Sequence, residues 1–237
     1  MRIPQMRTVG GVLGLLLLVR SVAVGTGLVG AGGAQTQFQS RCDATKLACI
    51  AKRQACLLKV HAAAEKKGVA PAAEALEKCG NTLEPCIEKL ESKQNPAKPK
   101  TLCSRTGDLV GLTLAGDAFV TDVVTAIDPG FPEVGPPSTC DGGKKACVAK
   151  RTACLLKAAA TATKKGVPSD AAVLQACADK FDGGAKGFAK GCIGKLQAKQ
   201  AVEKPKTLCA VTDDGTALAN AIDVFVVETV GAVLNLD

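Results

Sequence analysis

The sequence predicts an all-α protein of two tandem, disulfide-stapled three-helix units, each an antiparallel helical hairpin followed by a third amphipathic helix. Three observations carry this. Twelve cysteines form one six-member pattern twice: Cys42, Cys49, Cys56, Cys79, Cys86 and Cys103 return as Cys140, Cys147, Cys154, Cys177, Cys192 and Cys209. The segments between them are near copies, identical at 22 of 38 positions over Cys42–Cys79 and Cys140–Cys177, and at 12 of 18 over Cys86–Cys103 and Cys192–Cys209. Their composition is rich in Ala, Leu and Lys, which favour helix, and no run alternates with the period of two that a sheet needs.

An even, duplicated cysteine set reads as a disulfide framework. The closest spacings are C-x6-C, so the close pairs of a zinc site, the C-x-x-C of a redox site and the C-x-x-C-H of a haem site are all missing. The first 34 residues agree with export: Arg2 and Arg7, an apolar run from Val9 to Val19, then small residues. Arg20 interrupts the apolar stretch, and a charge at mid-membrane is costly. We therefore expect a cleaved signal peptide over 1–34, with cleavage after Ala34 and with Ala23 and Ala31 as alternatives. The expected location is secreted or periplasmic, with no transmembrane segment after processing. Unit 1 spans 41–129, a Pro/Gly linker 130–139, and unit 2 140–237.

Within unit 1 the first helix is expected from about Asp43 to Lys67, stopped by Gly68. Pro71 is placed at the start of the second helix; in the other copy Ser169-Asp170 supplies the cap. Asn95 to Lys100, with two prolines, ends the second helix. A third helix then carries Leu112, Phe119, Val120, Val123, Val124 and Ile127 at helical spacing, repeated by Leu218, Phe225, Val226, Val230 and Val233. Ala48, Ala55, Ile50, Leu57 and Leu58 form the face of the first helix expected to receive it.

The cysteines test the hairpin independently. Residues facing each other across an antiparallel pair have positions of constant sum, and Cys56 with Cys79 and Cys49 with Cys86 both give 135. The apex falls between Lys67 and Gly68, where the helix stop was placed on other grounds. Cysteines seven apart on a helix are separated by about 10.5 Å along its axis, beyond disulfide reach. Only six of fifteen pairings survive that limit, and nesting selects Cys56–Cys79, Cys49–Cys86 and Cys42–Cys103, with Cys154–Cys177, Cys147–Cys192 and Cys140–Cys209 in the second unit. Unit 2 carries eight extra residues between its fourth and fifth cysteines, since Cys177 to Cys192 is fifteen positions where Cys79 to Cys86 is seven. A continuous helix there would carry Cys192 about 12 Å past Cys147. Gly183, Gly184 and Gly187 favour a bulge instead, and the loop Asp182, Gly183, Gly184, Lys186 and Gly187 is the candidate partner contact.

Charge is unevenly placed. The formal charge is +8; three leader arginines account for part of it, leaving +5 in the expected mature chain. Residues 41–103 carry 12 basic and 7 acidic side chains and 104–136 carry 1 and 5, while 140–209 carry 14 and 5 and 210–237 carry 0 and 5. Each acidic segment is expected to pack on its own basic neighbour. Lys52 and Lys59 lie on one side of the cysteine stripe and Lys46 and Arg53 on the other; Lys150, Lys157, Lys144 and Arg151 match them. They read either as a basic groove for an anionic polymer or lipid surface or as solvated lysines over the seam.

The C-x6-C ladders resemble twin-cysteine helical hairpin proteins. The fuller set, C-L-L-K-A, Cys177-Ala-Asp-Lys-Phe and Cys209-x4-Asp-x8-Asp-x-Phe-Val, resembles uncharacterised Cys- and Lys-rich helical repeat proteins exported by bacteria, over residues 42–128 and 140–233. The resemblance implies a scaffold and no activity.

Catalytic signals are weak. His61 aligns with Ala159 and reads as a surface residue; Asp117 and Asp122, matched by Asp223 and Glu228, point in different directions; Asp213-Asp214-Gly215 lacks the acid spacing of a calcium loop. No catalytic residue, metal or cofactor is expected, and without aromatic stacking platforms nor is a nucleic-acid partner. The expected function is a secreted, non-catalytic structural or protein-binding module. The alternatives are a cationic binder of anionic envelope polymers or lipid surfaces, and an enzyme inhibitor acting through an exposed loop. Thiol titration of the denatured, non-reduced protein should find about zero reactive groups; two or more per chain would show that the framework is incomplete.

Overall fold

Ser40 opens the first long helix. The computed structural model describes residues 39–236, so the expected signal peptide and its expected cleavage sites lie outside the described residues. In α1 (Arg41–Lys67) the Ser40 hydroxyl accepts the Asp43 amide at 3.0 Å. Gly68 closes the helix in the left-handed region at φ 63°, its N–H donating to the carbonyls of Ala64 and Glu65. α5 (Thr139–Lys165) repeats both devices with Ser138 and with Gly166 at φ 66°.

The return limb of each hairpin is broken in two. Unit 1 has α2 (Ala73–Gly80) and α3 (Glu84–Glu91) where one helix was expected. Pro85 in the first turn of α3 has no N–H for the Asn81 carbonyl, so a helix cannot run through that point. Pro71 does not open α2 either: Ala72 is its N-cap and the proline lies one residue further out. In unit 2, α6 (Ala171–Asp182) starts on the Asp170 carboxylate, which accepts the Ala172 amide at 2.8 Å. It stops at Gly183, whose φ of 92° and contact with the Gly187 carbonyl leave no room for a side chain. Two 3-10 turns, Gly184–Lys186 and Phe188–Lys190, then take up the extra residues before α7 (Cys192–Gln197). With the bulge in place, the Cα atoms of Cys147 and Cys192 lie 5.9 Å apart and the two are bonded. The other five bridges are Cys42–Cys103, Cys49–Cys86, Cys56–Cys79, Cys140–Cys209 and Cys154–Cys177.

α4 (Leu109–Ile127) and α8 (Gly215–Leu234) complete the units, and no strand occurs among the described residues. Both are long and apolar enough to cross a membrane; each buries one face, while Val110 and Leu114 of α4 and Val224 and Val227 of α8 are exposed. Leu112, Phe119, Val120, Val123, Val124 and Ile127 are buried, as are Leu218, Phe225 and Val233. The Phe119 and Phe225 rings stack at 4.1 Å, joining the two helices. The outer side of α4 carries Asp117, Thr121, Asp122 and Thr125.

The half of α1 that carries Ile50 and Leu57 is buried and meets α4 at Gln54 and Arg53, while the most extensive neighbour of α1 is α5. The two long helices run antiparallel: Gln39 Nε2 donates to the Lys165 carbonyl at 2.8 Å at one end, and the Ser138 amide to the Glu65 carbonyl at 3.0 Å at the other. Small residues allow this approach, since a Cβ on Gly142 would stand 2.6 Å from the Ala62 carbonyl oxygen. The third helices pack beside this pair and are held by charge. Lys46, fully buried, donates to Glu91 at 2.8 Å, Asp108 at 2.7 Å and the Arg105 carbonyl at 2.6 Å. Lys144, equally buried, donates to Asp214 at 2.7 Å and to the Val211 carbonyl. Arg53 pairs with Asp117 at 2.6 Å and Arg151 with Asp223 at 2.9 Å. Each acidic segment thus packs on its own basic neighbour.

Breaking a buried pair strands its partner. Lys144→Ala should lower unfolding stability by about 3–5 kcal/mol, while Lys144→Met combined with Asp214→Leu should recover most of it. Chemical denaturation of the three proteins measures both values.

Candidate ligand-binding groove

The two groups of basic residues on either side of the cysteine stripe of α1 have different surroundings. At about 100° per residue, Ala51, Lys52, Ala55 and Lys59 share one half of the helix, and Ile50, Arg53, Gln54 and Leu57 the other. The second half meets α4: a Cβ on Gly116 would overlap Gln54 and approach Arg53. The first half borders α5, with Ala51 buried and Lys52 and Lys59 exposed. There an open groove of about 910 Å³ runs along the α1–α5 seam.

Both copies build it from equivalent residues. Ala51, Lys52, Ala55, Cys56 and Lys59 line the groove, and so does the residue 98 positions further on in each case. One wall is completed by unit 2 alone, through Lys180, Phe181 and the Cys147–Cys192 and Cys154–Cys177 bridges. Phe181 is buried and lies under Arg151, whose guanidinium carbon is 5.0 Å from the ring centroid. The floor is therefore alanine, valine, aromatic carbon and disulfide sulfur.

The rim is cationic. Lys52, Lys59, Lys150, Lys157 and Lys180 all border the groove, and no Asp or Glu lines it. None of the five has an ion-pair partner among the described residues. Arg151 also lines the groove but is paired with Asp223 of α8, and the buried cations Lys46, Arg53 and Lys144 are likewise paired with the third-helix segments. Lys180 escaped the sequence reading because the residue 98 positions earlier is Thr82. Its place on the C-terminal half of α6, one turn after Cys177, was the available signal.

The loop expected to meet a partner lies beside the groove and does not line it. Gly183 is buried, Asp182 and Gly184 are half-buried, and Lys186 and Gly187 are exposed. Asp182 is turned back to accept the Gly184 amide at 2.9 Å.

Two other clusters hold titratable groups. Cys42, Asp43 and Cys103, and likewise Cys140, Asp141 and Cys209, gather within metal-ligand range, but both cysteine pairs are bonded and a disulfide offers no thiolate. The carboxylates instead accept backbone amides: Asp43 that of Ser104 at 3.0 Å, Asp141 that of Ala210 at 3.1 Å. Burial raises the Asp141 pKa, opposed by its hydrogen bonds with Ser138 and Ala210 and by the nearby Lys144 and Lys145. His61, expected on the surface, is half-buried and meets the Phe131 ring edge-on at 5.7 Å. Burial, and secondarily the charge of Lys145, lowers its pKa. Lys145 itself replaces Leu47 of the first copy and crosses between units to Glu65 at 2.6 Å.

Comparison with protein-family models, curated proteins and solved structures finds no match to the chain.

The histidine gives a pH signature with a definite sign. Its folded pKa lies below its ordinary 6.5, so the unfolded chain binds more protons below that pH, and stability present above it is lost as pH falls. Thermal unfolding at about pH 7.5 and about pH 5.5 should show this loss, and His61→Ala, the residue of the second copy, should shrink it.

Proposed function

We propose that the chain is an exported, non-catalytic binding module whose stapled helical scaffold presents a groove for an anionic ligand. The observation that carries this reading is the set of five lysines around one groove with no carboxylate among its lining residues. Like charges gathered on a concave, low-dielectric surface focus the field and attract an oppositely charged ligand. Four of the five occupy equivalent places in both copies, so the duplication of the chain doubles the cationic rim. Six disulfides suit an oxidising compartment. Buried ionisable side chains such as Lys46, Asp108, Lys144 and Asp214 are engaged in holding helices together, which favours a scaffold over a reaction centre.

Retention on a sulfonate resin tests the reading. The combined variant Lys52→Gln, Lys59→Gln, Lys150→Gln and Lys157→Gln should elute at markedly lower salt than a control that loses the same charge at Lys66, Lys67, Lys164 and Lys165. Equal shifts for the two would show that net charge, not the groove, is responsible.

A further inference from the structure

Lysines account for an anion but not for the floor beneath them. A hydrated polyanion would meet the ammonium groups at the rim and leave the trough of alanine, valine and disulfide sulfur uncovered, forgoing the apolar burial that favours association. The lysine stems belong with that floor, since Lys buries its methylenes against apolar surface and holds only its head in water.

The dimensions are those of a site for one small molecule. The volume of about 910 Å³ lies in the usual range for ligand pockets of about 300–1,000 Å³. From Ala51 to Ala63 the α1 lining advances about 18 Å along the helix, which gives a long, narrow trough. A flat bilayer surface cannot reach the floor of such a trough, whereas a single alkyl chain can lie in it.

We propose that the groove binds one monomeric long-chain alkyl carboxylate, its chain along the α1–α5 seam and its head group held by the rim ammoniums. This rests on the reading of the groove as an anion site and adds the apolar half of the ligand. The equivalence of the two copies puts a lysine pair from each helix on the rim, so the head finds a cation in either direction of the chain.

Calorimetric titration of the oxidised protein with carboxylates from octanoate to palmitate, below their aggregation concentrations, tests it. Affinity should rise about twofold or more for each added methylene, towards the roughly fourfold of complete burial. The combined Lys52, Lys59, Lys150 and Lys157→Gln variant should weaken palmitate at least tenfold and leave palmityl alcohol within about twofold, the charged head alone having lost its partners. Ala55→Leu with Ala153→Leu fills the trough and should abolish palmitate binding while leaving elution from the sulfonate resin unchanged. Circular dichroism verifies that both variants are folded. Affinity independent of chain length, or palmitate binding unchanged in the filled variant, would overturn the alkyl site and leave the anion site standing. Binding of palmitate-containing vesicles without uptake of the monomer would overturn it equally. Palmitate bound normally by the glutamine variant would remove the cationic rim and with it both readings.

Discussion

Positions seven apart on an α-helix differ by only about 20° in direction, and each long helix of this protein carries three separate chemistries on stripes of that period. Cys42, Cys49 and Cys56 form one, bonded to the returning limb and the segment beyond it. Lys46 and Arg53 form another, paired with Asp108 and Asp117 of the third-helix segment. Lys52 and Lys59 form the third, on the groove. Because the stripes barely drift over two turns, a helix poor in large apolar residues can still fix two neighbours and keep a third stripe open to solvent. The covalent stripe sets the hairpin, the ionic stripe seats the third helix, and what is left over faces outward.

Much of this was legible because cysteine and glycine positions are geometrical statements. Gly68 and the constant sum of Cys56–Cys79 and Cys49–Cys86 located the turn from unrelated signals, and the excess length between Cys177 and Cys192 required a bulge. The apolar side of α4 was legible from its period alone. The two lysine faces were legible as well, but their roles were not, because Lys46 and Lys52 are the same residue in the same composition. Their difference lies in Asp108, more than sixty positions from Lys46, and only the folded chain brings it near. The packing of α1 on α5 was hidden for a similar reason: periodicity shows that a face is covered, not every helix that covers it. The break before α3 rested on Pro85, a single residue in an otherwise continuous helical pattern.

The copies have diverged where they touch each other and where the groove is closed. Lys145, Glu65 and His61 stand opposite Leu47, Thr163 and Ala159 of the other copy, so one end of the α1–α5 interface holds a cross-unit ion pair that the other end lacks. Lys180 and the loop that follows α6 belong to unit 2 alone. The symmetrical part of the groove is its floor and four of its lysines; its third wall is not symmetrical.

The antiparallel contact of α1 with α5 also says what a single copy would be. One unit alone would expose the small-residue seam that the other long helix covers, and its natural remedy is a second identical unit in the same two-fold arrangement. Joining the copies through residues 128–138 turns that association into an intramolecular one, at an effective concentration on the order of millimolar. A two-chain version would come apart as it became dilute, whereas in the fused chain both halves of the groove stay together at any dilution.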